Sequence, residues 1–266
     1  MRYRKGTIAL SDTRDYPLLQ RVLHCGFVTS AQLYEFLRLD YCASSRNAFD
    51  NRLRRLLNHE LLVRREFPAL NRGVAYSISE AGASELIGRG DYYSGSTDCD
   101  KQPPGHVHHA LELNEIHLAL KRTGVLIRWT PETDIRSHNE FTQSGYWKDY
   151  DALVSVRVAE RECRFAIEYE RTPKSKRRYT MIRSRIESET SVPHFLYLAP
   201  NYDLLLFLVR RFEACQRPVY FGLRKDFLTH TLGLSVRSNR SPVSMPLHAV
   251  LAAKPQAPSG RNNSAA

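Results

Sequence analysis

Residues 164–174 read Arg-Phe-Ala-Ile-Glu-Tyr-Glu-Arg-Thr-Pro-Lys. Strand alternation puts Phe165, Ile167 and Tyr169 on one face and Glu168 and Glu170 on the other. A strand predicted over 151–158 precedes it and opens with Asp151, so three carboxylates converge at one end of the sheet. Like charges held this close are costly unless a cation or proton sits among them. A hard divalent ion, Mg2+ or Mn2+, suits such a set, because it prefers carboxylate oxygens and keeps waters that can be activated. Thr172-Pro173 reads as an N-cap followed by proline at the first position of a basic helix. Lys174 and Lys176 then sit at a helix N-terminus, where the macrodipole disfavours a cation by about 0.3–1 kcal/mol. They point to a compensating anion, either the acidic cluster or a DNA phosphate. Periodicity alone also allows a solvated acidic face with the lysines merely pairing to it.

Outward from this stretch, helical and strand patterns alternate from 106 to 234, as in an α/β domain with a mixed central sheet. A helix over 108–120 is followed by strands at 125–129, 151–158 and 164–170. The basic helix, a strand at 194–198 and a helix around 204–212 complete the order. His106, His108, His109 and His117 have no cysteine partner and poor ligand spacing for zinc. Neither a Walker loop nor a GxGxxG fingerprint occurs.

Upstream, residues 15–88 predict a winged helix-turn-helix. Asp15 is placed as the N-cap of a first helix, and Thr29-Ser30-Ala31-Gln32 matches a capping box for a second. A third helix, after Ser44-Ser45, carries Phe49, Leu53, Leu56 and Leu57 on one side. Its other side carries Arg46, Asn47, Asn51, Arg52, Arg54 and Arg55. A hairpin around Asn71-Arg72-Gly73 adds Arg64, Arg65 and Arg72. In such a module the third helix enters the major groove while wing arginines reach the backbone. These nine polar side chains are therefore the candidate contacts to double-stranded DNA. The same fold used for protein contacts is the alternative.

The chain's balance agrees with an anionic partner: 39 Lys and Arg against 28 Asp and Glu over 266 residues, a net charge of +11 and a pI near 9.6. The five scattered cysteines form no CxxC pair and fit a reducing compartment. With no signal-peptide core and no long apolar run, the expectation is a cytoplasmic protein without membrane insertion. Residues 89–105 read as a linker. Residues 235–266, rich in Ser, Pro, Ala and Asn and devoid of acids, read as a disordered basic tail.

The α/β segment resembles the PD-(D/E)XK nuclease fold, whose pattern is an acid opening one strand and an E-x-K on the next. His109-x-Leu111 with Asn114, Asp151-Ala152, Glu168-x-Glu170-Arg171-Thr172 and Lys174-Ser175 through Tyr179 are similar to the replication-relaxation family. That family joins a winged helix to such a domain and includes the MOBC-type relaxases of mobilisable plasmids. The resemblance implies metal ligands at Asp151, Glu168 and Glu170, with Lys174 as the nearby catalytic cation. It also implies nicking of a transfer or replication origin, alongside other mobilisation or replication proteins. One departure stands out, since the lysine position of E-x-K is Glu170. If neither Lys174 nor Lys176 replaces that lysine in space, the alternative is a non-enzymatic DNA-binding regulator or replication accessory factor with an inactive nuclease-like domain.

Overall fold

Local side-chain chemistry opens the N-terminal helices where expected. The Thr29 hydroxyl accepts the Gln32 N–H at 3.2 Å, and the Gln32 amide oxygen accepts the Thr29 N–H at 3.2 Å, a reciprocal capping box. Ser45 and Ser79 cap two further helices by accepting the N–H groups of Ala48 and Gly82. In the computed structural model these signals produce α1 (Asp15–Cys25), α2 (Ser30–Tyr41), α3 (Arg46–Asn58), β1 (Leu62–Phe67), β2 (Gly73–Ile78) and α4 (Glu80–Ile87). The structure describes residues 9–41, 45–67, 73–91 and 103–253. The expected wing tip, with Arg72, lies outside them.

β1 and β2 pair antiparallel from Leu62↔Ile78 to Phe67↔Gly73. Leu18, Leu19 and Val22 of α1 meet Leu33 and Leu37 of α2, Phe49, Leu53 and Leu56 of α3, and Leu86 of α4 in one apolar core. The winged helix-turn-helix is thus present. At Gly82 a Cβ would lie 2.1 Å from the Leu61 carbonyl oxygen, so α4 reaches this backbone approach only with glycine.

Contacts divide the chain into two units. The first holds the described residues up to Gly124 together with 131–141; the second holds 125–130 and the described residues from Thr142 onward. This differs from a boundary in the 89–105 linker. Helix α5 (Pro104–Arg122) falls in the first unit because its apolar residues Val107 and Leu111 cluster with Phe27 and Ala75. Polar ties add to this: Asn114 Nδ2 donates to the Phe27 carbonyl at 2.8 Å, and Arg122 donates twice to Glu35 at 2.7 Å. A helix absent from the sequence reading, α6 (Glu132–Phe141), also falls here, with Asp134 3.3 Å from His24.

The second unit is a mixed α/β fold around a seven-stranded sheet ordered β3 to β9. These strands are β3 (Leu126–Pro131), β4 (Ala152–Val158), β5 (Arg161–Tyr169), β6 (His194–Ala199), β7 (Val219–Leu223), β8 (Ser235–Ser238) and β9 (Ser241–Pro246). β4 and β5 are antiparallel, β5, β6 and β7 parallel, and β8 and β9 antiparallel. Helices α7 (Lys176–Ser188) and α8 (Tyr202–Phe212) cover the face that carries Glu168. Tyr197, the cross-strand partner of Glu168, packs against Phe212 of α8 in a tilted ring contact at 4.8 Å, and Tyr179 of α7 lies 6.0 Å from Phe212. After β7 come α9 (Arg224–His230) and, beyond β9, α10 (Leu247–Ala252). Helix α10 lies on the opposite face, where Cys163 Sγ donates to the Leu251 carbonyl.

Three expectations are corrected here. The segment expected to be a disordered tail from 235 instead forms β8, β9 and α10, because Val236, Leu247, Val250 and Leu251 are buried against the sheet. Residues 254–266 lie outside the described set. The basic helix begins at Lys176, not at Thr172-Pro173: Ser175 is its cap, accepting the Arg178 N–H at 3.3 Å. The pairing of the Glu170 N–H with the Leu198 carbonyl keeps the chain extended past β5. Asp15 is not an N-cap but the first helical residue, its carboxylate turned back to the Ser11 N–H.

Candidate acidic site and nucleic-acid interface

Glu168 and Glu170 are 4% and 5% exposed, so they do not form a solvated face. Ala152 pairs with Ile167, which sets Asp151 opposite Glu168 at the end of the β4–β5 ladder. The structure therefore brings the three carboxylates to one end of the sheet. Each is already engaged. Asp151 Oδ2 accepts the Tyr169 N–H at 2.7 Å, Glu168 pairs with the Lys148 ammonium, and Glu170 Oε2 accepts from Lys174 Nζ at 2.7 Å. Lys174 thus lies against Glu170, the residue at the lysine position of E-x-K, whereas Lys176 is exposed and, among the described residues, makes no ion pair with these acids.

Burial dominates the electrostatics. It pushes the Glu168 carboxyl up to about 7 against the pull of Lys148, and the Asp151 charge adds to the rise. Burial raises Glu170 as well, with Lys174 opposing. At Lys174 desolvation works against the charge, but Glu170 outweighs it and the ammonium is held more firmly than usual. The Tyr197 hydroxyl is buried on the same sheet face with no hydrogen-bond partner among the described residues, and burial followed by the Glu168 charge keeps it protonated.

The donor chemistry fits a hard divalent cation: carboxylate oxygens from three residues in one register. Their present positions do not assemble one. Among the described residues no three His, Cys, Asp or Glu side chains come together as a metal-binding group. The two ammonium groups neutralise the glutamates instead. Lys148 is the residue that sequence reasoning missed. Its only signal is a position three residues before a strand-opening acid, and pairing with Glu168, 20 residues away, is a tertiary fact.

On the winged helix, three of the four α3 arginines, Arg46, Arg54 and Arg55, are exposed as expected, and Arg52 is not. Arg52 lies 3.4 Å from the buried Asp15 carboxylate and Arg55 pairs with its other oxygen. Arg46 pairs with Asp50 at 3.1 Å and stacks over Tyr34 and Phe49. Asn47, Asn51 and Arg54 are exposed and pair with no carboxylate among the described residues, with Arg54 donating to Asn51 at 2.9 Å. On the wing, Arg64 is exposed beside Glu66 at 3.2 Å and Arg65 is partly buried. Two of the resembling motif positions have structural surroundings here: Asn114 holds the Phe27 carbonyl, and Tyr179 accepts the Lys174 N–H.

No family model matches the chain, and no curated protein matches it. Among solved structures, the restriction endonuclease FokI bound to DNA is similar at 13% identity, over 84% of this chain and 45% of the FokI chain, with a TM-score of 0.26. The present chain thus spans less than half the length of that protein, and a superposition this loose carries no argument about activity. No helix among the described residues is long and apolar enough to cross a membrane.

Proposed function

We propose that this chain is a DNA-binding protein whose α/β unit cleaves a DNA strand with a divalent cation. The observation that carries the reading is the burial of Glu168 and Glu170 side by side, opposite Asp151, with Lys174 against Glu170. Burying two carboxylates costs several kcal/mol per ion before pairing, so a sheet that needed only stability has better residues for these positions. Asp151, Glu168 and Glu170 would hold Mg2+ or Mn2+. The ion would supply a metal-activated water and neutralise charge on the scissile phosphate. Lys174 keeps a proton-bearing ammonium beside Glu170, suited to a phosphate oxygen. The winged helix supplies duplex recognition through Asn47, Asn51 and Arg54, with Arg46, Arg64, Arg65 and Arg72 towards the backbone. In the more specific form implied by the resemblance, the target is a transfer or replication origin and the product a nicked plasmid.

A second reading is favoured by one observation. Lys148 sits on Glu168, so the acids are satisfied internally, as in a nuclease-like domain that no longer cuts and serves a DNA-binding regulator. Incubation of supercoiled cognate plasmid with and without Mg2+ or Mn2+ separates the two. Metal-dependent conversion to open circles, lost in Asp151→Ala and in Glu168→Ala, is the expected result. Conversion that survives both substitutions removes this site, and no conversion by the wild-type protein leaves the regulator.

A further inference from the structure

Helix α7 carries exposed basic side chains that pair with no carboxylate among the described residues. Between Lys174 and Ile186 the chain holds six basic residues and no acid, and the first carboxylate, Glu187, is taken by the Gln216 N–H at 2.9 Å. Of the six, Lys174 pairs with Glu170 and Arg183 donates to the Arg211 carbonyl. Lys176, Arg177, Arg178 and Arg185 are exposed, and among the described residues none of them pairs with a carboxylate. Tyr179, Ile182 and Ile186 turn the other side of α7 into the core, so the arginines share the outward side. Arg178, Met181 and Arg185 stand at i, i+3 and i+7 along one line, and Met181 is exposed between them.

The contrast with α3 is informative. There the arginines are tied to Asp15, Asp50 and Asn51 within the module. On α7, by contrast, Lys176, Arg177 and Arg178 crowd into the first turn, where they oppose the helix dipole. A folded protein keeps such an arrangement at a standing cost, which an external polyanion removes. From Lys176 to Arg185 the helix rises about 13 Å, the axial length of roughly four nucleotides of one strand.

We infer that the outward face of α7 is a second DNA-backbone surface, in which Arg177, Arg178 and Arg185 hold the phosphates of the strand beside the Glu168–Glu170 site. It rests on the DNA reading above but not on cleavage. Guanidinium groups suit it because their planar donors match phosphate oxygens bidentately. Contacts to phosphate oxygens carry no sequence information, so this surface adds affinity without sequence preference.

The test uses the full chain and a random-sequence duplex, with binding measured across a salt series. Replacing Arg177, Arg178 and Arg185 together by alanine is expected to flatten the plot of log K against log salt by about 2.7, since each phosphate contact contributes about 0.9. The same three positions changed to lysine are expected to keep most of that slope. An alanine variant with the wild-type slope overturns the proposal. So does a lysine variant that loses as much slope as the alanine one, because damage to the helix then explains both. Nicking in Mg2+ is scored separately. A wild-type protein that never nicks but loses slope in the alanine variant keeps this surface and removes the nuclease reading. One that nicks while the alanine variant binds unchanged does the reverse.

Discussion

The Asp15 carboxylate, fully buried at the start of α1, is ion-paired with the Arg55 guanidinium on α3, and Arg52 approaches its other oxygen at 3.4 Å. Two arginines of α3 therefore hold the module together. The pair is asymmetric. Arg55 is 44% exposed and can turn to water when Asp15 is removed, but Asp15 cannot leave the core when the arginines are removed. Arg52→Ala with Arg55→Ala is expected to cost about 3 kcal/mol or more, and Asp15→Asn clearly less. Urea unfolding of the variants checks the order.

Base readout is expected from Asn51 and Arg54 instead. Arg54 is exposed and bonded only along the helix, so Arg54→Ala is expected to leave the urea midpoint in place. It is expected to relax preference at one base pair by about 1–3 kcal/mol. Selection of bound duplexes from a randomised pool, wild type against variant, measures both the position and the size of the loss.

In the proposed site, a divalent ion held by Asp151, Glu168 and Glu170 would bind only the folded state and so would stabilise it by mass action, by about 2.7 kcal/mol at a hundredfold excess over Kd. Mn2+ is expected to raise the wild-type Tm and to leave Glu168→Ala unchanged. A melting temperature indifferent to Mn2+ in the wild type favours the non-cleaving reading.

Stability should fall in mild acid through His117. Burial beside Phe36, followed by the charges of Arg21, Lys121 and His24, holds this imidazole neutral well below its usual range. A depressed folded value means the stabilisation is complete above the unfolded value near 6.5 and is lost as pH drops below it. The slope is up to about 1.4 kcal/mol per pH unit for this one group. His117→Gln is expected to reduce the pH dependence between 6.5 and 5.5 by about 1 kcal/mol in thermal unfolding at stepped pH.

The C-terminal strands and helix also carry stability. Leu247 is 1% exposed on α10, and Leu247→Ala is expected to cost about 2–5 kcal/mol. Amide exchange across 243–251 is expected to show protection, and exchange at the free-chain rate there would contradict the docked arrangement.

Periodicity and caps determine much of this architecture. Thr29 and Gln32 announced α2, Ser45 announced α3, and alternation from Phe165 to Glu170 set both glutamates on one face. These are interactions within a few residues, and their physics is complete in the local chain. Polar composition misjudged 235–253, because β8, β9 and α10 place only Val236, Leu247, Val250, Leu251 and a few neighbours inward, too few to register as a pattern.

What only the tertiary structure decided is which charges meet. Asp15 looked like a cap, yet it neutralises two arginines some 40 residues away. The glutamates read equally as a solvated face, and only the packing of α7 and α8 over β5 and β6 buried them. Lys148 carried no motif at all until the fold brought it to Glu168. Charge pairing acts through space, over distances that chain separation does not encode, so sequence named the acids and bases while the fold chose their partners.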